Sequence, residues 1–166
     1  MPFVQQQRNN LHASIAMAQG IDAINGLLER TKRIDTLLSD GTLIRNAVAV
    51  YEDEIITSNR NQMYAGYRAD GSPIKPDYTQ ATREIKIHNQ QPYDRVTLKD
   101  TGRFYEEMTI YFDDDSFDID SEDWKSGKLK DKYGEKIFGL TESNTNALSE
   151  LIRNVLIEDI DIIYSE

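Results

Sequence analysis

Met108-Thr109-Ile110-Tyr111-Phe112-Asp113-Asp114-Asp115-Ser116-Phe117-Asp118-Ile119 decides the fold class, because its apolar residues alternate instead of recurring every three or four. Met108, Ile110 and Phe112 fall on one side of an extended chain, and Phe117 and Ile119 resume the alternation after a polar tip. Period two is the spacing of a half-buried strand. The segment therefore predicts an antiparallel β-hairpin with its acids at the tip and on the outward face.

Outward from the hairpin the period changes. Upstream, Leu11, Ile15, Ala18, Ile24, Leu27, Leu28, Ile34 and Leu38 recur at helical spacing, with Gly20 and Gly26 as points of kink or break. Ser39-Asp40-Gly41 stops this helix, and Thr42 is placed to cap a second one through about Met63. Downstream, Thr141 precedes a last helix whose apolar positions are Leu148, Leu151, Ile152, Val155, Leu156 and Ile160. Between them Asp70-Gly71 signals a tight hairpin, Thr79 to His88 a brief helix, and Val96-Thr97-Leu98 a short strand. Asp100 or Thr101 is placed to cap a short helix through Glu107, and Lys125 to Lys136 reads as a basic loop. The expected fold is α+β: an N-terminal helical hairpin and a C-terminal helix packed around a small antiparallel β-sheet. A chain of 166 residues fits a single domain, 1–166, with polar residues 1–10 as a flexible or partner-bound arm.

Charge and composition narrow the function. The formal charge is −10, from 29 acids against 19 bases, which argues against independent duplex binding and against sequence-specific nucleic-acid recognition. With no cysteine, disulfides and thiolate metal sites are excluded. No apolar run approaches the roughly 18 residues of a membrane span, and Met1 to Gln7 lacks the regions of a signal peptide. A soluble protein made and used in a cytoplasm is the expectation.

No catalytic set emerges. His12 and His88 lie far apart, each without a histidine or carboxylate at i+4, and no Gly-x-Ser-x-Gly elbow occurs. Gly66…Gly71 is followed by Ser72-Pro73, not by the Lys-Ser/Thr that a phosphate loop requires. The acids Asp113, Asp114, Asp115, Asp118, Asp120, Glu122 and Asp123 do not make a calcium loop. From Asp113 the sixth position is Asp118, from Asp118 it is Asp123, and a glycine is required there. They read as a solvated hairpin tip, or as a surface that faces a basic partner or lines a channel. Tyr64, Tyr67, Tyr78 and Tyr93 read equally as interface or as half-buried aromatics. No cofactor is expected.

Val96-Thr97-Leu98-Lys99-Asp100-Thr101-Gly102-Arg103-Phe104, preceded by Gln62-Met63-Tyr64-Ala65-Gly66, Asp70-Gly71 and Tyr78-Thr79, resembles the neck and tail-completion proteins of tailed bacteriophages, the virion morphogenesis family. There a Gly-rich hairpin, a short polar helix and a Leu-x-Asp-Thr-Gly-Arg turn come in the same order. Lys132 to Thr141 is similar as well. The resemblance implies a non-enzymatic virion component: a homo-oligomeric, ring-forming head–tail connector or tail-completion subunit, made in the bacterial host cytoplasm, that binds portal or tail proteins. It also implies that Asp100, Thr101, Gly102 and Arg103 are architectural. Tyr64, Tyr67, Tyr78, Asp113, Asp114 and Asp115 are then the interface or channel-facing candidates. Two other classes stand beside it: an acidic regulatory or DNA-mimic protein acting on a basic partner, and a metal-dependent hydrolase.

Overall fold

The computed structural model describes residues 2–113 and 116–166, with side chains from Gln5 onward. In chain order the elements are α1 (Pro2–Ser39), α2 (Thr42–Val50), α3 (Glu52–Tyr64), α4 (Gln80–His88), α5 (Arg103–Glu106), β1 (Met108–Phe112), β2 (Phe117–Ser121), α6 (Ser126–Tyr133), a 3-10 turn (Glu135–Ile137) and α7 (Glu142–Ser165). The fold is α+β, as the change of period implies.

β1 and β2 pair antiparallel, as expected, with Ile110 opposite Ile119 and Phe112 opposite Phe117. Met108, Ile110 and Ile119 point into the core, whereas Phe112, nearer the tip, is 40% exposed. The core itself gathers Val48, Ile55 and Met63 from α2 and α3, Val96 and Phe104 from the middle segment, and Ile137 and Leu148 from the C-terminal part. A smaller cluster of Ile34, Leu43 and Ile163 ties the ends of α1 and α7 to α2.

α1 is one continuous helix, without the expected break at Gly20 or Gly26. Residues 2–10, expected as a loose or partner-held arm, belong to it, with Gln5 to Asn10 exposed. Their glutamines are good helix formers, and no glycine or proline interrupts the run after Pro2. Gly41, not Thr42, holds the N-cap position of α2, in the left-handed region at φ 73°. The Asp40 carboxylate there accepts from the Thr42 amide at 2.9 Å. The helix expected over 42–63 is divided at Tyr51 (φ −111°, ψ 21°). Glu52, Asp53 and Glu54 follow as the first turn of α3, where acids complement the amide dipoles.

Three local expectations differ from the structure. Val96-Thr97-Leu98 is buried and belongs to no strand. The Thr97 amide donates to the Tyr78 hydroxyl at 2.9 Å, and the Thr97 carbonyl accepts from the Tyr105 hydroxyl. Two phenols thus replace a neighbouring strand, and Leu98 at φ 52° ends the extended run. Asp70-Gly71 makes a tight turn with a single bridge between Tyr67 and Pro73, because Pro73 and Pro76 carry no amide proton for a ladder. Lys125 to Lys136 contains α6, in which Tyr133 is buried against the core and Leu129 packs on it four residues earlier.

Candidate functional site

The Asp100–Arg103 turn joins the tyrosine-clamped segment to α5. Gly102 lies at φ 105°, in the left-handed region, and a Cβ there would also come within 3.4 Å of Glu106 Oε1. Glycine is therefore favoured by backbone conformation, since a contact at that distance with the end of a flexible side chain is ordinary packing. The Thr101 hydroxyl accepts from the Arg103 amide at 3.4 Å. The helix begins at Arg103, with Gly102 rather than Asp100 or Thr101 in the N-cap position and no side-chain cap bond. Asp100 turns outward: its carboxylate meets Lys125 Nζ at 3.1 Å, and its carbonyl accepts from Gln91 Nε2 at 3.0 Å. Of the acids near Arg103, the structure selects Glu107, at 2.6 Å, with the buried Asp123 carboxylate 4.0 Å away. These pairings raise the Arg103 pKa, through the Glu107 hydrogen bond first.

The tyrosines separate into two groups. Tyr78 is half-buried, and its hydroxyl is engaged by Thr97 within the fold. Tyr64 and Tyr67 are surface residues, 38% and 48% exposed. The Tyr64 ring lies under the Arg95 guanidinium at 5.7 Å and the Lys99 ammonium at 5.6 Å. Tyr105, which the sequence gives no reason to single out, is buried, and burial raises its hydroxyl pKa above the ordinary value.

The acids near the hairpin are not one cluster. Asp113 is at the exposed tip, where its amide donates to the Ser116 carbonyl at 2.9 Å and its carbonyl accepts from Arg45 Nη1 at 3.4 Å. Asp114 and Asp115 lie outside the described residues. Asp118 on β2 and Glu122 just after it are exposed, but Asp120 and Asp123 work inside the fold. Asp120 accepts from Lys130 Nζ, the Ser126 hydroxyl and the Ser121 amide, each at 2.7 Å. Partial burial alone would raise the Asp120 pKa; those three donors outweigh it and hold the carboxyl below its usual range. Asp123 is buried and accepts from the Lys125 amide at 2.7 Å. Period-two alternation places Asp118 and Asp120 alike, so only the arrival of α6 distinguishes them.

A polar clamp holds the segment before α7. Asn59 Nδ2 donates to the carbonyls of Ile137 and Gly139, at 3.2 and 2.9 Å. Gln62 Nε2 donates to Gly139 as well, and Gln62 Oε1 accepts from the Thr141 amide at 2.8 Å. Asn59 is fully buried on α3, a signal of structural duty that helical spacing does not carry.

Among the described residues no group of three histidines or acids is placed to hold a metal ion. No helix of the described residues is long and apolar enough to cross a membrane. No protein-family model, curated protein or solved structure matches the chain.

Proposed function

We propose that this chain is a non-enzymatic structural protein of a tailed-phage virion, a ring-forming subunit of the head–tail connector or tail-completion type. The likeness of the Gln62–Phe104 motifs to the virion morphogenesis family suggests it, and portal or tail proteins are the partners it implies. Asp100, Thr101, Gly102 and Arg103 spend their polar groups on the turn and on neighbouring side chains, which supports an architectural part for them.

The single observation that carries the reading is the bare apolar face of α1. A helix of 38 residues is about 57 Å long, and every described side chain from Gln5 to Asn25 is exposed. Leu11 is 61% exposed, Met17 69% and Ile24 64%. Between Gln5 and Leu28 the only Asp, Glu, Lys or Arg residues are Arg8 and Asp22, in a chain of net charge −10. An apolar, nearly neutral surface can meet another subunit without the repulsion that the rest of the molecule would impose. Such an isolated helix gains most of its stability from tertiary or quaternary packing.

Sedimentation analysis with electron microscopy of the purified protein tests the reading. Closed rings are expected, and Ile21→Asp on α1 is expected to disperse them while the subunit stays folded. A protein that sediments as a monomer at every concentration would overturn the ring. If that monomer bound a basic partner, the acidic regulatory or DNA-mimic reading would replace it.

A further inference from the structure

Beside the Asp100–Gly102 turn lies a cleft of about 320 Å³, bounded by α4, the turn and α6. Its floor is apolar: Leu98, Phe104 and Tyr133 are buried there. Its charged lining is three lysines, Lys86, Lys99 and Lys125, against one carboxylate, Asp100, which is already paired with Lys125 at 3.1 Å, while the Lys99 ammonium rests on the Tyr64 ring. That local excess of positive charge stands in a protein whose net charge is −10.

Lys86 is the unusual member. It is only 6% exposed. Its ammonium donates to Gln91 Oε1 at 2.8 Å and to the Lys99 carbonyl, and it lies 5.5 Å from the centre of the Tyr78 ring. Among the described residues no carboxylate lies within 4 Å of it. Lysines are almost never this buried without a counter-charge, because removing an ammonium from water is costly. Gln91, a carbonyl and a ring face supply partial charges that hold the ammonium in place and leave its full charge uncompensated. The cleft therefore presents a preset positive potential above an apolar floor.

From this we infer that the cleft binds an acidic peptide segment of a partner protein, a carboxylate side chain with an aromatic or aliphatic neighbour. The carboxylate meets Lys86 first and competes with Asp100 for Lys125, and the apolar neighbour covers Leu98 and Phe104. A cleft of this volume is at the small end for ligand sites and holds a couple of side chains. Three lysines interrupted by Asp100 do not form the continuous basic track that a nucleic-acid backbone requires. The inference goes beyond the ring reading and does not depend on it, since the cleft is complete within one subunit.

The test is titration of the full chain with an acetylated Phe-Asp-Ile-Asp peptide amide, with Phe-Asn-Ile-Asn and sodium acetate as comparisons. Binding of the acidic peptide is expected to be at least tenfold tighter than that of the amide peptide or of acetate. It should weaken with added salt. Lys86→Met, which replaces the ammonium by an apolar chain of similar length, should lose at least tenfold in affinity with an unchanged or higher Tm. Lys125→Gln, at the more exposed rim, should lose affinity by a smaller factor and serves as the check if Lys86→Met does not fold. Equal binding of both peptides, no binding of either, acetate binding as tight as the peptide, or full affinity in Lys125→Gln and Lys86→Met would each overturn the inference. Ring formation is scored separately by sedimentation, so failure of one does not masquerade as failure of the other.

Discussion

The first two-thirds of α1 and the body from α2 to α7 carry apolar residues at comparable helical spacing, yet their surroundings are opposite. Ile24 on α1 is 64% exposed, whereas Ile55 on α3 is 1% exposed. Around Ile55 the hairpin, the tyrosine-clamped segment and α7 close over the helix; around Ile24 no part of the described chain does. Periodicity reports which face of a helix is available for burial, not whether the chain possesses anything to bury it against. That difference is what makes the body a folded unit and α1 a surface.

The comparison breaks most sharply in matched deletions. Ile55→Ala should cost about 2–5 kcal/mol of stability, by lost transfer energy and the cavity left behind. Ile24→Ala should change the stability of the isolated subunit by less than about 0.5 kcal/mol. Denaturant titration of both variants under monomeric conditions checks this; a large loss at Ile24 would mean that α1 is covered within the subunit.

Glycines sharpen it next, with opposite signs. Gly102→Val should destabilise by about 1–3 kcal/mol, since a β-branched residue is strained at positive φ. Particle assembly should suffer with it. Gly20 sits in the exposed helix with open space where a Cβ would go. Gly20→Ala should therefore stabilise by about 0.4–1 kcal/mol. Thermal melts of the pair decide whether the helix at Gly20 is as regular as it is here.

Stability should also depend on pH through groups of the body. The Asp120 carboxyl has its pKa lowered in the folded state by Lys130, Ser126 and Ser121. Its stabilising contribution is present above the unfolded value of about 3.9 and is lost as pH falls through the lower folded value. Tyr105 has the reverse displacement, upward by burial. Its contribution is intact below the unfolded value of about 10 and is lost as pH rises beyond it. Melting curves from pH 2 to 11 should fall at both ends, with Asp120→Asn flattening the acid limb and Tyr105→Phe the alkaline one. Unchanged limbs in these variants would assign the transitions to other groups.

The smallest effect belongs to the hairpin tip. Replacing Asp113, Asp114 and Asp115 by asparagine should leave the subunit's Tm unchanged or slightly higher, because like charges adjacent in the chain repel weakly. A normal particle-assembly assay for the triple variant would reduce the tip to a solvated turn. Saturable micromolar calcium binding by the parent, lost in the variant, would instead reveal a metal site.

Several features were legible because their cause is local. Met108 to Ile119 reads as a hairpin from its alternation, and Thr141 reads as a cap from its place before an apolar helical run. Gly102 could be recognised because a turn that needs positive φ selects glycine whatever surrounds it. Tyr51 was harder: the helix breaks there without proline or glycine, and the only signal is the acidic triplet Glu52-Asp53-Glu54 that follows. The Asn59 and Gln62 clamp had no local signal, since the Ile137–Thr141 segment it holds lies about 80 residues away in the chain. The same is true of Thr97, which with the β-branched Val96 before it suggests a strand until the Tyr78 and Tyr105 hydroxyls are seen to take its amide and carbonyl.

By itself the amino-acid sequence determined the alternation of helix and strand, the turns that need glycine and the acidic charge, because each depends on residues a few positions apart. Only the tertiary structure decided which apolar faces are covered, which acids of the 113–123 run are engaged and where a buried lysine lacks a carboxylate. These depend on what distant segments bring to the same place, and periodicity within one segment carries no record of its neighbours in space.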